Sequence, residues 1–217
     1  MNFPLQLHPD ELVHCHRTAA LSELLAKLAG LPDSEVRTVT QSALVHDIGK
    51  AVIPTSILCK PGPLNEEECA VMHMHTAVGA HILIHTHGTM RTASAVALQH
   101  HERLDGSGYL GLRDAEIHPH AKIVAVADVF DALLSPRSYK RPWSIQRTCG
   151  YLSGLAGVKL DAKLVGLLLD HLPLALALYR EETRIRRGIR IPAEYVHREK
   201  EVTDPCCYRK NSTSSIG

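Results

Sequence analysis

The chain has 217 residues and a net charge of +1, enough length to bury a full core and no bulk electrostatic reason to expect nucleic acid or an anionic membrane as partner. Hydrophobic residues at 45% and charged residues at 22% are ordinary for a globular domain, and aromatics at 4% leave the core to Leu, Val, Ile and Ala, which favours packed helices over a β-sandwich. The amino terminus has neither a basic leader nor a long apolar run, and the apolar stretch from Leu164 to Tyr179 is broken by Asp170, His171 and Pro173, so neither a signal peptide nor stable membrane insertion is expected.

Asp10 to Leu28 carries Leu21, Leu24, Leu25 and Leu28 at helical spacing and stops at Gly30-Leu31-Pro32. Ser34 can cap a second helix running to about Ile48, ended by Gly49. After a loop with Pro54, Pro61, Gly62 and Pro63, Asn65 and Glu68 form a variant capping box ahead of a long helix from Glu66 to about His85. A further helix is predicted from Arg91 to about Glu102, and Pro119 suits the first turn of one continuing through Ile123, Val126, Phe130 and Leu133. Ser144 starts another, and Asp161 opens a helix expected to run unbroken towards Tyr179. No stretch alternates as a strand, so the fold class is all-α, without internal repeats. Composition shifts after Pro173: residues 1–172 read as one domain, and 173–217 as a basic extension with a Ser-rich, disordered end.

The six cysteines form no CxxC pair, which removes a thiolate zinc framework and a secreted disulfide pattern; a cytoplasmic protein with reduced thiols is expected. Histidine is the outlier, with 15 residues of which only His171 and His197 lie beyond residue 120. A single histidine is more often a surface or core residue than a ligand, and His8, His16, His73, His81, His85, His87, His118 and His120 are read that way. Others sit beside acids in suggestive places. His46-Asp47 ends a helix, His75 lies within the long capped helix, and His100-His101 precedes a glycine-rich loop. Asp128 is a carboxylate inside an apolar helix, costly unless it is paired or ligates a cation. His14 follows Asp10 by one turn. Imidazoles and carboxylates without thiolates suit iron, manganese or zinc, and there are enough for two ions, a recurrent arrangement for phosphoester hydrolysis.

The segments HDIGKAVIPTSILCKPGPLNEEE, MHMHTAVGAHIL, HHERLDGSGYL and AKIVAVADVFDALLSPRSYKR, in that order, resemble the HD-GYP family, a branch of the HD-superfamily phosphohydrolases associated with cyclic di-GMP breakdown. The resemblance spans about His14 to His171 and implies an HD-domain helical bundle with additional C-terminal helices. It implies metal ligands at His14, His46, Asp47, His75, His100, His101 and Asp128, with Asp47 bridging two iron or manganese ions and Asp10 placed for the third ion that some members hold. Lys50 falls near the scissile phosphate and joins Asp47 as a catalytic residue, Arg137 and Lys140 match the phosphate-gripping pair, and Tyr109 matches the tyrosine lining the substrate pocket.

The implied activity is metal-dependent hydrolysis of cyclic di-GMP to linear pGpG, and onward to GMP, in bacterial signalling in the cytoplasm, with a homodimer or a signalling protein as the compatible partner. The chain departs from the pattern at Leu110, where the GYP triplet has proline, and leucine is expected to loosen the loop or reshape the pocket edge. It departs again at Arg137-Ser138-Tyr139 and at Leu160-Asp161-Ala162. These changes bear on efficiency and substrate preference and keep two alternatives open: a weakly active or inactive module that binds cyclic di-GMP or a protein, and a phosphohydrolase for another nucleotide.

Overall fold

The computed structural model describes residues 7–86, 90–135 and 142–187. Among these residues, nine α-helices follow one another: α1 (Pro9–Leu28), α2 (Asp33–Val45), α3 (Thr55–Leu58), α4 (Glu66–Thr86), α5 (Arg91–Gln99), α6 (Pro119–Leu134), α7 (Ile145–Leu155), α8 (Ala162–Asp170) and α9 (Leu172–Arg187). Two 3₁₀ turns, Ile48–Val52 and Asp114–Glu116, interrupt them. Among the described residues there is no β-strand, only isolated bridges at Asp105–Arg113 and Ala156–Leu160. The protein is all-α.

Local chemistry sets most helix ends. α1 closes with Gly30 N–H on the Lys27 carbonyl and Leu31 N–H on Ala26, the paired bonds of a Schellman stop. Asn65 and Glu68 exchange side-chain-to-backbone bonds of 2.8 Å each, as the capping box requires. Ser144 and Asp161 cap α7 and α8 through Arg147 N–H and Leu164 N–H. Two histidines read as surface residues also serve as caps, His8 on α1 and His118 on α6. The helix expected to run unbroken from Asp161 breaks at His171, and α8 and α9 meet at a 79° bend. Pro173 explains the break: it cannot continue a helix from its interior but fits the first turn of a new one.

α6 forms the centre of the core, with Ile123, Val124, Val126, Phe130 and Leu133 buried. α1 packs on α2, α6 and α9, while α2 also contacts α5. Each fully buried Val, Leu, Ile or Phe contributes about 1.5–3 kcal/mol, enough collectively to offset the polar groups that the same helices carry inward. α9 belongs to this packing: Ala175 is buried and the Tyr179 hydroxyl donates to the Leu134 carbonyl at 2.9 Å. The remainder of the basic extension, from residue 188 on, lies outside the described residues. No single described helix is long and apolar enough to cross a membrane. Cys15, Cys59 and Cys149 are free thiols.

The contact that matters most for the site is between the first 3₁₀ turn and α4. A Cβ on Gly49 would lie 2.0 Å from the His75 carbonyl oxygen and 2.7 Å from the Gly79 nitrogen. Only glycine at 49 lets the turn lie against α4, and this draws Asp47 to His75. Gly49→Ala should therefore cost about 1–3 kcal/mol by overpacking against backbone, seen as a lowered thermal midpoint together with reduced metal uptake. An unchanged midpoint would show that the contact is loose.

Candidate metal centre

α2 ends at Val45, so His46 is its C-cap and Asp47 stands in the break before the 3₁₀ turn. α4 supplies His75, the end of α5 supplies His100 and then His101, α1 supplies His14, and α6 supplies Asp128. All seven converge. Four imidazole Nε2 atoms surround the Asp47 carboxylate: His14 at 3.5 Å, His46 at 3.3 Å, His75 at 3.2 Å and His100 at 3.5 Å. His14 Nε2 also lies 3.1 Å from Asp128 Oδ1. These ligand atoms fall into two groups, Asp47 with His75, His100 and His101, and His14 with His46 and Asp128.

The opposite face of each ring fixes its tautomer. Nδ1 of His46 lies 2.7 Å from the Ala43 carbonyl, that of His75 2.6 Å from Met72, and that of His100 3.0 Å from Ala97. A carbonyl only accepts, so in the neutral ring, the form that binds a metal, Nδ1 carries the proton and Nε2 presents a lone pair. Those lone pairs point at a carboxylate, acceptor against acceptor. The Nε2 atoms of His14, His46, His75 and His100, and Asp47 Oδ1, are buried without a hydrogen-bond partner. Five such atoms in one cluster are costly unless a cation stands among them, and imidazole with carboxylate is the donor set of a borderline divalent metal. The residues present fit that group.

His14 is built differently, because its Nδ1 meets Asp131 Oδ2 at 2.7 Å. Asp131 is fully buried and is held by the Arg17 guanidinium and the Ser135 hydroxyl. This carboxylate–histidine pairing is the arrangement that orients a metal-ligating ring. Asp131 was missed in the sequence, although the argument that singled out Asp128, a carboxylate on an apolar helix, applies to it equally.

The field of the cluster divides the rings. Burial would lower the His14 pKa, yet Asp128, Asp131 and Asp47 outweigh it and raise it well above the ordinary value. His46 is likewise raised against its burial, chiefly by the charge of Asp47. Burial dominates at His100, pushed down to about 4, and at His101, also lowered. Asp47 and Asp128 resist the upward push of burial and lie well below the usual carboxylate range, Asp47 mainly through Lys50 and Asp128 mainly through His14. Protons on His14 and His46 thus partly meet the demand for positive charge, and an incoming metal ion must displace them. Metal affinity should rise as pH is raised past the ordinary imidazole value, with proton release on loading. Titration of metal-free protein with Mn²⁺ at several pH values checks this, and a flat affinity would contradict it.

Lys50 is buried with its ammonium 2.7 Å from Asp47 and 2.8 Å from Glu11. Asp10 is not at the cluster: its side chain is 74% exposed beside His8, and Glu11 groups with His14 and Asp47 instead. Both acids precede His14 by about one turn, and the face of α1 that packs inward carries Glu11. Tyr109 does reach the cluster, its ring 4.6 Å from His101 and stacked at 3.8 Å on His73. His73, read from the sequence as a surface residue, thus packs on a ring at the edge of the cluster. Arg137 and Lys140 lie outside the described residues.

A helical domain built around a buried histidine–aspartate cluster of metal-ligand type is the class that this fold and site define. The HD domain profile matches residues 5–164, and the chain belongs to the HD-domain family. It is similar to the cyclic di-GMP phosphodiesterase response regulator of Xanthomonas campestris, 43% identical over 155 residues, covering 70% of this chain and 41% of that protein. It is also similar to the 3′3′-cGAMP-specific phosphodiesterase 2 of Vibrio cholerae, 42% identical over 160 residues, covering 73% and 31%. A cyclic di-GMP phosphodiesterase of Thermotoga maritima is 38% identical over 171 residues, covering 78% and 46%. The chain thus spans less than half the length of these relatives. In fold it is similar to an HDG"Y"P protein of Bdellovibrio bacteriovorus, with a TM-score of 0.62 at 24% identity over 74% of this chain and 51% of that one. A cyclic GMP-AMP specific phosphodiesterase of V. cholerae gives 0.60 at 16% identity over 84% and 50%.

Proposed function

We propose that this chain is a metal-dependent phosphodiesterase that hydrolyses cyclic di-GMP to linear pGpG, and onward to GMP, in the cytoplasm. The observation that carries the reading is the set of unpartnered buried Nε2 and Oδ1 atoms gathered on Asp47. The names of the relatives support it. In this reading His14, His46, Asp128 and Asp47 would hold one ion, and Asp47, His75, His100 and His101 the other; the donor set suits iron, manganese or zinc, and the family resemblance favours iron or manganese. Such ions supply an acidified water as nucleophile and neutralise charge on phosphate oxygens. Asp47 serves both groups of ligands. Lys50 adds a buried positive charge beside the phosphate, where low dielectric makes it effective. Tyr109 lines the approach, and Arg137 and Lys140 grip the phosphates, Arg137 as a fork and Lys140 as a point charge.

Protein purified without oxygen and loaded with Fe²⁺ or Mn²⁺ should convert cyclic di-GMP to pGpG, and chelation should stop it. Metal-loaded protein that binds the dinucleotide without cleaving it would favour a binding module instead. Preferential cleavage of 3′3′-cGAMP, the substrate named for one relative, would move the substrate assignment and leave the reaction class in place.

A further inference from the structure

The loop that carries Tyr109 departs from the family triplet at Leu110, and the leucine supplies what proline cannot. Glu102 is 2% exposed and lies beneath the loop. Its Oε1 accepts the Leu110 N–H at 2.8 Å, and its Oε2 accepts the Leu112 N–H at 2.8 Å. Proline has no N–H, so the first of these bonds exists only because position 110 is not proline. The Leu110 side chain is half exposed, which places its contribution in the backbone.

The loop backbone rests directly on Glu102. A Cβ on Gly108 would stand 2.4 Å from Glu102 Cα and 2.8 Å from its Oε2, so the approach needs glycine. The base of the loop is closed independently by the Asp105–Arg113 bridge and by Gly106 N–H on the Arg103 carbonyl at 2.8 Å. Tyr109 immediately precedes the first clamped amide, and its ring sits between His73, at 25° to it, and His101, at 37°.

We propose that Glu102 is a positioning residue: it clamps the loop through the Leu110 and Leu112 amides, and this clamp holds Tyr109 against His73 and His101. Hydrogen bonds to a carboxylate are among the stronger ones, so a bonded leucine does not loosen this loop. The catalytic consequence rests on the phosphodiesterase reading, whereas the clamp is a property of the folded chain.

Three variants test it, Glu102→Gln, Leu110→Pro and Leu110→Ala, read by amide hydrogen exchange, metal content and steady-state kinetics with cyclic di-GMP. Glu102→Gln should speed exchange at Leu110 and Leu112 by at least about tenfold. It should also raise KM about tenfold with metal content unchanged, since binding contacts of Tyr109 are lost while the ligands stay in place. Leu110→Pro, at an exposed side chain, should speed exchange at Leu112 and raise KM, and Leu110→Ala should keep both amides protected. The proposal is overturned if Leu110→Pro leaves Leu112 protection and KM as they were, or if Glu102→Gln frees the amides without moving KM. Should metal-loaded wild-type protein fail to cleave any cyclic dinucleotide, the exchange measurements still decide the clamp, and that failure counts against the phosphodiesterase reading alone.

Discussion

On the proposed phosphodiesterase reading, Asp47→Asn should lower turnover of cyclic di-GMP by at least about a thousandfold, because one oxygen of this carboxylate faces His14 and His46 and the other faces His75 and His100. Asparagine keeps the shape but presents only one oxygen, and it brings no negative charge to the four Nε2 atoms around it. Lys50 would keep Glu11 but lose its 2.7 Å contact with Asp47, so the ammonium is no longer drawn to the centre. A readout independent of catalysis is available. An ion that binds only the folded state stabilises it by about 2.7 kcal/mol at a hundredfold excess over Kd, or about 5–10 °C in a chain of this size. Wild-type protein should show that rise on Mn²⁺ addition, and the variant should show little or none. A variant that melts like wild type, with the same metal-induced rise, would remove Asp47 from the centre of the site.

Much of this architecture is legible in the sequence. α1, α4 and α6 could be drawn from apolar periodicity and end signals, since their stops and caps are local chemistry that sequence records directly. The break at His171 was also written, in Pro173, but the apolar run either side of it reads as one helix unless proline is given the greater weight. The seven ligand candidates were visible as residue types, whereas their convergence was not. His14 and Asp128 are more than a hundred residues apart, and only the ordered resemblance to a family joined them. Where the choice turned on how a helix rotates into the core, spacing failed: Asp10 and Glu11 are both about one turn from His14, and only Glu11 faces inward. Glu102 stands in the HHERLDGSGYL segment, but its clamp is not legible there, because its partners are backbone amides, which every residue but proline offers.

Asp131→Ala tests the support of the centre, and its largest effect should be on stability. Burial would raise the Asp131 pKa, but the His14 ring and then the Arg17 guanidinium more than offset it and hold the carboxyl below its usual value. A group with a depressed pKa stabilises the fold at neutral pH, and that contribution is lost as pH falls through the folded value. Removing the carboxylate strips this partner from an arginine that is 6% exposed, and breaking a buried pair from one side costs about 3–5 kcal/mol. The loss should be largest near neutrality and should shrink in acid, where wild-type protein has itself lost the ionised carboxylate. Asp131→Asn separates this cost from the effect on the metal. An amide oxygen can accept from His14 or from Arg17 but serves both poorly, so a folded Asn variant should bind Mn²⁺ about 10–100-fold more weakly, as expected when a ring loses the group that orients it. Thermal melts across pH and metal titration of both variants give the answer. Wild-type affinity in Asp131→Asn would mean that His14 is oriented by its own helix, and equal melting of Asp131→Ala and wild type at neutral pH would mean that the Arg17 pair contributes nothing to the fold.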